Sequence, residues 1–268
     1  SCWGFYTTAN SVKNQSYLSF LYASSKASEN IGGLATDDKD IMYDFAYATE
    51  KKVRDTALGS DDTIDIKLAK NESEAFQILF ATTAKGKKVN VSVTDFKNSD
   101  GDTLKTEAFK ANYSKVPGYG DKYNCEYADA LIPVTHTGGR GGPAELKKGL
   151  QQSFFIRTHA DKNAKAGEYT AVLTAVNENG GVILEKEIKA TVWDFTLPDT
   201  PANDTAFGNG GGKFYELSGV KDGDDEARQR VSEQVYELLL ENRLSPYNLP
   251  YDILDERADA YMSDPRLK

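Results

Sequence analysis

The chain has 268 residues, of which 39% are hydrophobic and 11% aromatic, and its formal net charge is −9. This hydrophobic content excludes a disordered chain, and the length suffices for one large domain or two ordinary ones. The 41 acidic residues outnumber the 32 basic ones. Because binding to a phosphate backbone needs a basic surface, we expect no nucleic-acid partner. No run approaches the roughly 18 apolar residues that a membrane-spanning helix needs, so we expect no membrane span.

The cysteines and histidines are too few and too scattered to predict a metal site. Cys2 and Cys125 are the two cysteines, and His136 and His159 are the two histidines. None of them has the spacing of a zinc site. The two cysteines fit a long-range disulfide in an exported protein or two buried free thiols, and the sequence leaves both open. We therefore expect no metal and no cofactor.

Short strands are predicted from residue 64 to residue 192. The clearest of them is residues 89–96, in which apolar and polar side chains alternate strictly, as in a strand with one solvated face. The segment 177–181 (NENGG) separates the last two predicted strands and is typical of a hairpin turn. The predicted strands are residues 64–68, 75–81, 89–96, 154–157, 167–176 and 182–192. Short strands with frequent turns favour a β-sandwich.

The pattern changes after Pro198. Pro198 and Pro201 predict a stiff linker, and residues 205–208 could form a short strand. Acidic residues at 222–226 then indicate a helix start, because carboxylates satisfy the free N–H groups of a first helical turn. Apolar residues recur at helical spacing up to Leu244, which predicts a helix of about five turns.

A strand, a helix and the start of another strand are how a (β/α)₈ barrel begins, although a complete barrel needs about 250 residues. The prediction is therefore a mainly β protein in two parts. Residues 1–200 form a β-sandwich accessory domain, and residues 201–268 form the first βα unit of a (β/α)₈ barrel, which is incomplete.

Four motifs in fixed order resemble the N-terminal half of bacterial proteins related to glycoside hydrolase family 123, the β-N-acetylgalactosaminidase-like enzymes. They are NESEAFQ at 71–77, DALIP at 129–133, KAGEYT at 165–170 and VWDFTLP at 192–198. The resemblance implies a β-sandwich followed by a catalytic barrel. It also implies an Asp-Glu pair on that barrel, in which the Glu is the general acid and the Asp orients the acetamido group of the substrate as nucleophile.

The catalytic pair of that family is not assigned to any residue of this chain. Asp255 and Glu256 are adjacent, but they follow the first predicted helix too closely, whereas the family pair lies several strands into the barrel. Their neighbours Leu254 and Arg257 are typical of a surface helix start. We therefore predict no catalytic residue here.

Substrate contacts from the first two barrel strands are predicted instead. Active sites of barrels lie at the C-terminal ends of the strands. A tyrosine there could stack on a sugar ring, and an asparagine or aspartate could bind its hydroxyl groups, although ordinary loop residues would fit the same pattern. The predicted contacts are Asn209, Tyr247, Asn248, Tyr251 and Asp252. For Trp193 two roles stay open, a platform for a sugar ring and packing in the core or at the junction of the two parts.

The leading hypothesis is the N-terminal portion of a carbohydrate-active protein from bacteria. Its parent would be a glycoside hydrolase that acts on N-acetylhexosamine-containing glycans by substrate-assisted hydrolysis, and this portion alone would be inactive. The alternative is a carbohydrate-binding or cell-surface adhesion module without an enzymatic parent. In either case we expect a secreted or cell-surface location and a glycan or glycoconjugate as partner. The remainder of the barrel could also be a separate chain.

Overall fold

The computed structural model describes residues 31–117, 124–137, 140–208 and 211–267. The chain divides into two compact units between Thr196 and Leu197. Each unit is described by itself. Cys2 and Asn209 lie outside the described residues, and so does the side chain of Cys125.

Thirteen strands are present in the described part of the first unit. They are Leu34–Ala35 (β1), Ile41–Tyr47 (β2), Asp65–Lys70 (β3), Glu72–Thr82 (β4), Lys88–Val93 (β5), Phe96–Lys97 (β6), Thr103–Leu104 (β7), Thr106–Pro117 (β8), Asn124–Pro133 (β9), Ala144–Glu145 (β10), Gln152–Ala160 (β11), Gly167–Asn177 (β12) and Val182–Thr196 (β13). One sheet has the order β1-β2-β4-β11-β8-β9, and the other has β10-β5-β12-β13-β3. In the second sheet β6 also pairs with β12, and β7 pairs with β6. The pairs are antiparallel except β13 with β3.

One hydrophobic core holds the two sheets together as a sandwich. Alternate residues of β4 and β11 from the first sheet enter this core, and so do alternate residues of β12 and β13 from the second. Alternation with period two is what lets each strand bury one row of side chains while the other row faces outward. The mainly β, two-sheet prediction for this part of the chain is therefore confirmed.

Local sequence explains several elements. Each of the six predicted strands overlaps a strand of the structure, and residues 89–96 are divided between β5 and β6. The turn at 177–181 joins β12 to β13 as predicted. Gly180 has φ +79°, and the side chain of Asn177 accepts hydrogen bonds from the N–H groups of Asn179 (3.0 Å) and Gly181 (2.9 Å). A glycine with positive φ and an asparagine side chain that accepts backbone N–H groups both favour tight turns.

The second unit contains three helices in its described part. They are Gly211–Leu217 (α1), Asp225–Glu241 (α2) and Ala258–Met262 (α3). The predicted helix is α2, and its start is capped by Asp224, whose carboxylate accepts the N–H of Ala227 at 2.9 Å. Tyr236 and Leu240 of α2 are buried, and the ring of Tyr236 meets that of Tyr261 edge-on at 5.2 Å. The helix therefore has a partner within its own unit.

The predicted barrel unit is wrong. The described part of the second unit contains no strand, and its nearest equivalent is a single parallel bridge between Phe207 and Pro246. Phe207 donates its N–H to the carbonyl oxygen of Ser245 and accepts the N–H of Tyr247, both at 2.8 Å. Pro246 and Pro250 lack the N–H that a longer strand ladder would need. The helical periodicity correctly predicted α2, but a helix does not by itself establish strands on either side.

Candidate functional site

A pocket of about 410 Å³ lies on the outer face of the six-stranded sheet, the face turned away from the core. We call it the sheet pocket. Its floor includes Gln77 of β4 and Phe155 of β11, which are opposite each other in the antiparallel ladder. Their neighbours Phe76 and Phe154 point the other way and belong to the core. The volume lies within the roughly 300–1,000 Å³ typical of small-molecule sites.

One wall of the sheet pocket is the segment that follows β2, residues 48–52, which we call the wall loop. Gln77 is 1% exposed and binds this segment with its side-chain amide. Its Nε2 donates to the carbonyl oxygens of Tyr47 (3.0 Å) and Glu50 (2.9 Å), and its Oε1 accepts the hydroxyl of Ser153 at 3.0 Å. The buried amide is thus fully satisfied, and it fixes the wall loop against the sheet.

Opposite charges on the wall loop compensate each other. The Lys52 ammonium lies 2.9 Å from the Glu50 carboxylate, which also accepts the backbone N–H of Tyr47 at 3.1 Å. The hydrogen bond from Lys52 lowers the pKa of Glu50 below its ordinary value. A general acid needs the opposite shift, because it must hold its proton near neutral pH. Glu50 is therefore not suited to proton donation.

The other wall comes from β9 at a β-bulge. Ala111 of β8 is opposite Leu131, but Tyr113 is opposite Ala128, so β9 contains one extra residue. Ala130 occupies this position with φ +62°, a conformation that costs a non-glycine residue about 1–3 kcal/mol. The bulge shifts the alternation of β9 by one residue. Ala128 and Asp129 consequently line the sheet pocket.

The β9 wall is supported by a cluster of partly buried aromatic and charged side chains. Arg54 lies over the ring of Tyr113, 4.5 Å from its centroid, and pairs with Glu126 of β9 at 3.1 Å. The hydroxyl of Tyr113 accepts the N–H of Ser153 at 2.8 Å, and burial raises the pKa of Tyr113 to about 12. This wall is therefore rigid where Tyr127, Ala128 and Asp129 reach the pocket.

Four of the five sugar contacts predicted in the second unit lie in the described residues, and Asn209 does not. Tyr247 and Asn248 are exposed, and the carboxylate of Asp252 accepts the N–H of Leu254 at 2.9 Å in a local turn. Tyr251 is committed to protein contacts: its hydroxyl binds Glu233, and the guanidinium of Arg257 lies 4.1 Å from its ring centroid. Their role as sugar contacts stays a prediction.

The Asp255–Arg257 pair near these residues yields a pH prediction. Hydrogen bonds from Arg257 lower the pKa of Asp255 to about 2 from an ordinary 3.8. A lowered pKa stabilises the folded state above the ordinary value, and this contribution is lost as the pH falls from about 4 towards 2. We expect Arg257→Gln to raise the pKa of Asp255 towards 3.8 in a carboxyl NMR titration. Arg230→Gln is the control and should leave that pKa unchanged.

Trp193 and Phe195 form an exposed pair at the end of β13. Their rings stack at 5.7 Å with an angle of 16° between the planes, and they are 44% and 50% exposed. Trp193 is therefore not a core residue. The other two roles, a platform for a sugar ring and packing at the junction, stay open.

Metal-binding chemistry finds no support in the described residues. No group of three or more His, Cys, Asp or Glu side chains there could hold a metal ion. The acidic segment 98–102 is a turn in which Lys165 pairs with Asp102 at 2.9 Å. None of the helices in the described residues has the length and apolar character of a membrane-spanning helix.

The sheet pocket was not predicted from the sequence, because its residues come from distant strands and a loop. Gln77 was the one available signal, since it is a polar residue inside an apolar run of β4. A buried glutamine within such a run needs partners, and that need indicates a structured contact. Nothing in the sequence marks the bulge at Ala130.

Comparisons with known proteins show similarity at the level of the fold. Neither a protein-family model nor a curated protein sequence matches the chain. A family 123 glycoside hydrolase from Clostridium perfringens, studied for its hydrolysis of glycolipid glycans, superposes with a TM-score of 0.60 at 12% identity. The match covers 76% of this chain and 37% of that one, so the chain spans about a third of the length of the hydrolase. The fold is therefore similar to part of that enzyme.

Two further structures are similar over most of their own length but with low scores. The CooA pilin subunit from enterotoxigenic Escherichia coli has a TM-score of 0.29 at 14% identity, over 58% of this chain and 99% of the pilin. The GspB Siglec domain has a TM-score of 0.28 at 10% identity, over 76% and 77% of the two chains. Scores this low do not establish a common fold.

Proposed function

We propose that this chain is the glycan-binding, non-catalytic portion of a carbohydrate-active protein, and that its sandwich binds carbohydrate in the sheet pocket. The observation that carries the proposal is the pocket itself. It combines aromatic side chains (Phe155 and Tyr127) with a carboxylate (Asp129) on a floor and wall that buried contacts hold in place.

This combination suits a sugar for two physical reasons. The C–H face of a pyranose ring is apolar and packs on aromatic rings, whereas its hydroxyl groups need hydrogen-bond partners around the rim. The ring of Phe155 and the methyl group of Ala128 supply apolar surface, and Asp129 supplies a strong acceptor. The preformed pocket also reduces the ordering cost of binding.

The parent protein in this proposal is a glycoside hydrolase that acts on N-acetylhexosamine-containing glycans. The support is the fold similarity to the family 123 enzyme together with the four motifs in the sequence. Because the chain spans only 37% of that enzyme, the catalytic residues would belong to further polypeptide, in the same chain or a separate one. A secreted or cell-surface location, where glycoconjugates are found, belongs to the same proposal.

The alternative is an adhesion or binding module without an enzymatic parent, and the sheet pocket would serve it equally. The two are distinguished by the intact mass of the natural polypeptide and by activity on aryl β-N-acetylhexosaminides. A heavier, active polypeptide supports the hydrolase parent. A polypeptide of 29.5 kDa that binds glycans without hydrolysing them supports the module.

Glycan binding is tested by a glycan array followed by calorimetry with the best ligand. We expect Phe155→Ala and Tyr127→Ala each to weaken binding about tenfold or more, as for central aromatic residues of binding sites. Phe214→Ala, an exposed phenylalanine of α1, is the matched control and should bind like the parent chain.

Tyr247→Ala in the same experiment tests the rival site in the second unit. Loss of binding in Tyr247→Ala with full binding in Tyr127→Ala would move the site to the second unit. Absence of binding to any glycan on the array would refute the proposed function.

A further inference from the structure

Several polar groups that line the sheet pocket already have partners within the protein. Gln77 uses both amide hydrogens on the carbonyl oxygens of Tyr47 and Glu50, and its oxygen accepts from Ser153. It therefore has no donor left for a ligand. The contribution of Gln77 to recognition is to hold the wall loop in place.

Two charged groups of the wall loop, Lys52 and Glu50, are also engaged. Glu50 accepts from Lys52 and from the backbone N–H of Tyr47. Lys51 takes part in an interaction of its own. A ligand that displaced Lys52 from Glu50 would leave that carboxylate without its partner.

Asp129 is different from these groups. It lines the pocket and is exposed, and its carboxylate makes no hydrogen bond or ion pair with other described residues. Its backbone lies beside Ala130, whose positive φ belongs to the bulge that brings this part of β9 to the pocket. Strained backbone of this kind persists where the surrounding structure determines it, and it concentrates at functional sites.

Resting on the proposed function, we propose that the sheet pocket selects neutral glycans over acidic ones, and that Asp129 is the specificity-determining residue. Its carboxylate accepts hydrogen bonds from two neighbouring hydroxyl groups of a sugar that stacks on Phe155. A sugar carboxylate or sulfate at the same place has no proton to donate and is repelled by the like charge. The net charge of −9 acts in the same direction at long range.

The test compares two matched ligands by calorimetry: the neutral oligosaccharide that binds best and its counterpart oxidised to the uronic acid at one C6. We expect the parent chain to prefer the neutral ligand by about tenfold or more, since charge-assisted hydrogen bonds are about twice as strong as neutral ones. High salt should reduce this preference, because the repulsion is screened.

Asp129→Asn keeps the shape of the side chain and removes its charge. We expect it to weaken binding of the neutral ligand and to bring the two affinities close together. Glu168→Gln, an exposed carboxylate on β12, is the control and should keep the full preference. Its melting temperature and that of Asp129→Asn should match the parent chain.

The outcomes separate this inference from the proposed function. If the chain binds no glycan, the proposed function is refuted, and this inference is refuted with it. A chain that binds the uronic acid as tightly as the neutral ligand, or an Asp129→Asn variant that behaves like Glu168→Gln, overturns the charge selectivity and leaves glycan binding intact.

Discussion

Phe154→Ala is expected to lower the free energy of unfolding of the sandwich by about 3–5 kcal/mol, the range for truncating a buried phenylalanine. Phe154 is 0% exposed, and its ring packs edge-on against Phe80 of the neighbouring strand at 6.2 Å. Both rings lie in the core between the two sheets. Truncation leaves a cavity that these paired strands cannot collapse to fill.

The effect of Phe154→Ala is best measured by hydrogen exchange of the slowest amides in β4 and β11. The chain has two compact units, so one thermal transition need not describe the sandwich. Phe195→Ala is the matched control, because its ring is half exposed, and we expect a loss within about 1 kcal/mol. Equal losses in the two variants would contradict the assignment of the core.

Gln77→Met is expected to destabilise the sandwich by about 1–3 kcal/mol and to release the wall loop. The substitution keeps the length of the side chain but leaves the carbonyl oxygens of Tyr47 and Glu50 and the hydroxyl of Ser153 without their shared partner. Burial makes those losses costly, since water cannot replace the amide without opening the loop. We expect glycan binding to weaken about tenfold or more as the wall becomes mobile.

Hydrogen exchange at the wall loop separates positioning from general destabilisation. The N–H groups of Ala48 and Glu50, which bond to Ala75 and Tyr47, should exchange faster in Gln77→Met, while those of β12 keep their protection. Gln229→Met, on α2 in the other unit, is the control and should leave both the loop and binding unchanged. Uniformly faster exchange with undiminished affinity would show that Gln77 supports only the fold.

The strands of the sandwich were predictable wherever alternation was regular. Residues 167–176 and 182–192 became β12 and β13 because one polar and one apolar face are encoded within each segment. The strands β8 and β9 were not predicted. Their apolar positions are weak, and the bulge at Ala130 shifts the alternation midway, so no single period runs through β9.

In the second unit, the local sequence pattern predicts the helix correctly but not the elements beside it. The helix and its cap at Asp224 were predictable, because periodicity and a carboxylate at the helix start are properties of consecutive residues. The flanking strands were not formed, because a strand exists only when another strand accepts its hydrogen bonds. Pro246 and Pro250 reduce the donors available for such pairing.

The sequence by itself determined the mainly β character of residues 64–192, the hairpin at 177–181 and the existence of the long helix after the acidic segment 222–226, since each depends on the spacing of neighbouring residues. Only the tertiary structure decided the site. The sheet pocket unites Gln77, Phe155, Asp129 and the wall loop, which are separated by up to about a hundred residues along the chain, and the order of the strands brings them to one face. That order arises from pairing and from the common core, which are interactions between segments and have no local signature.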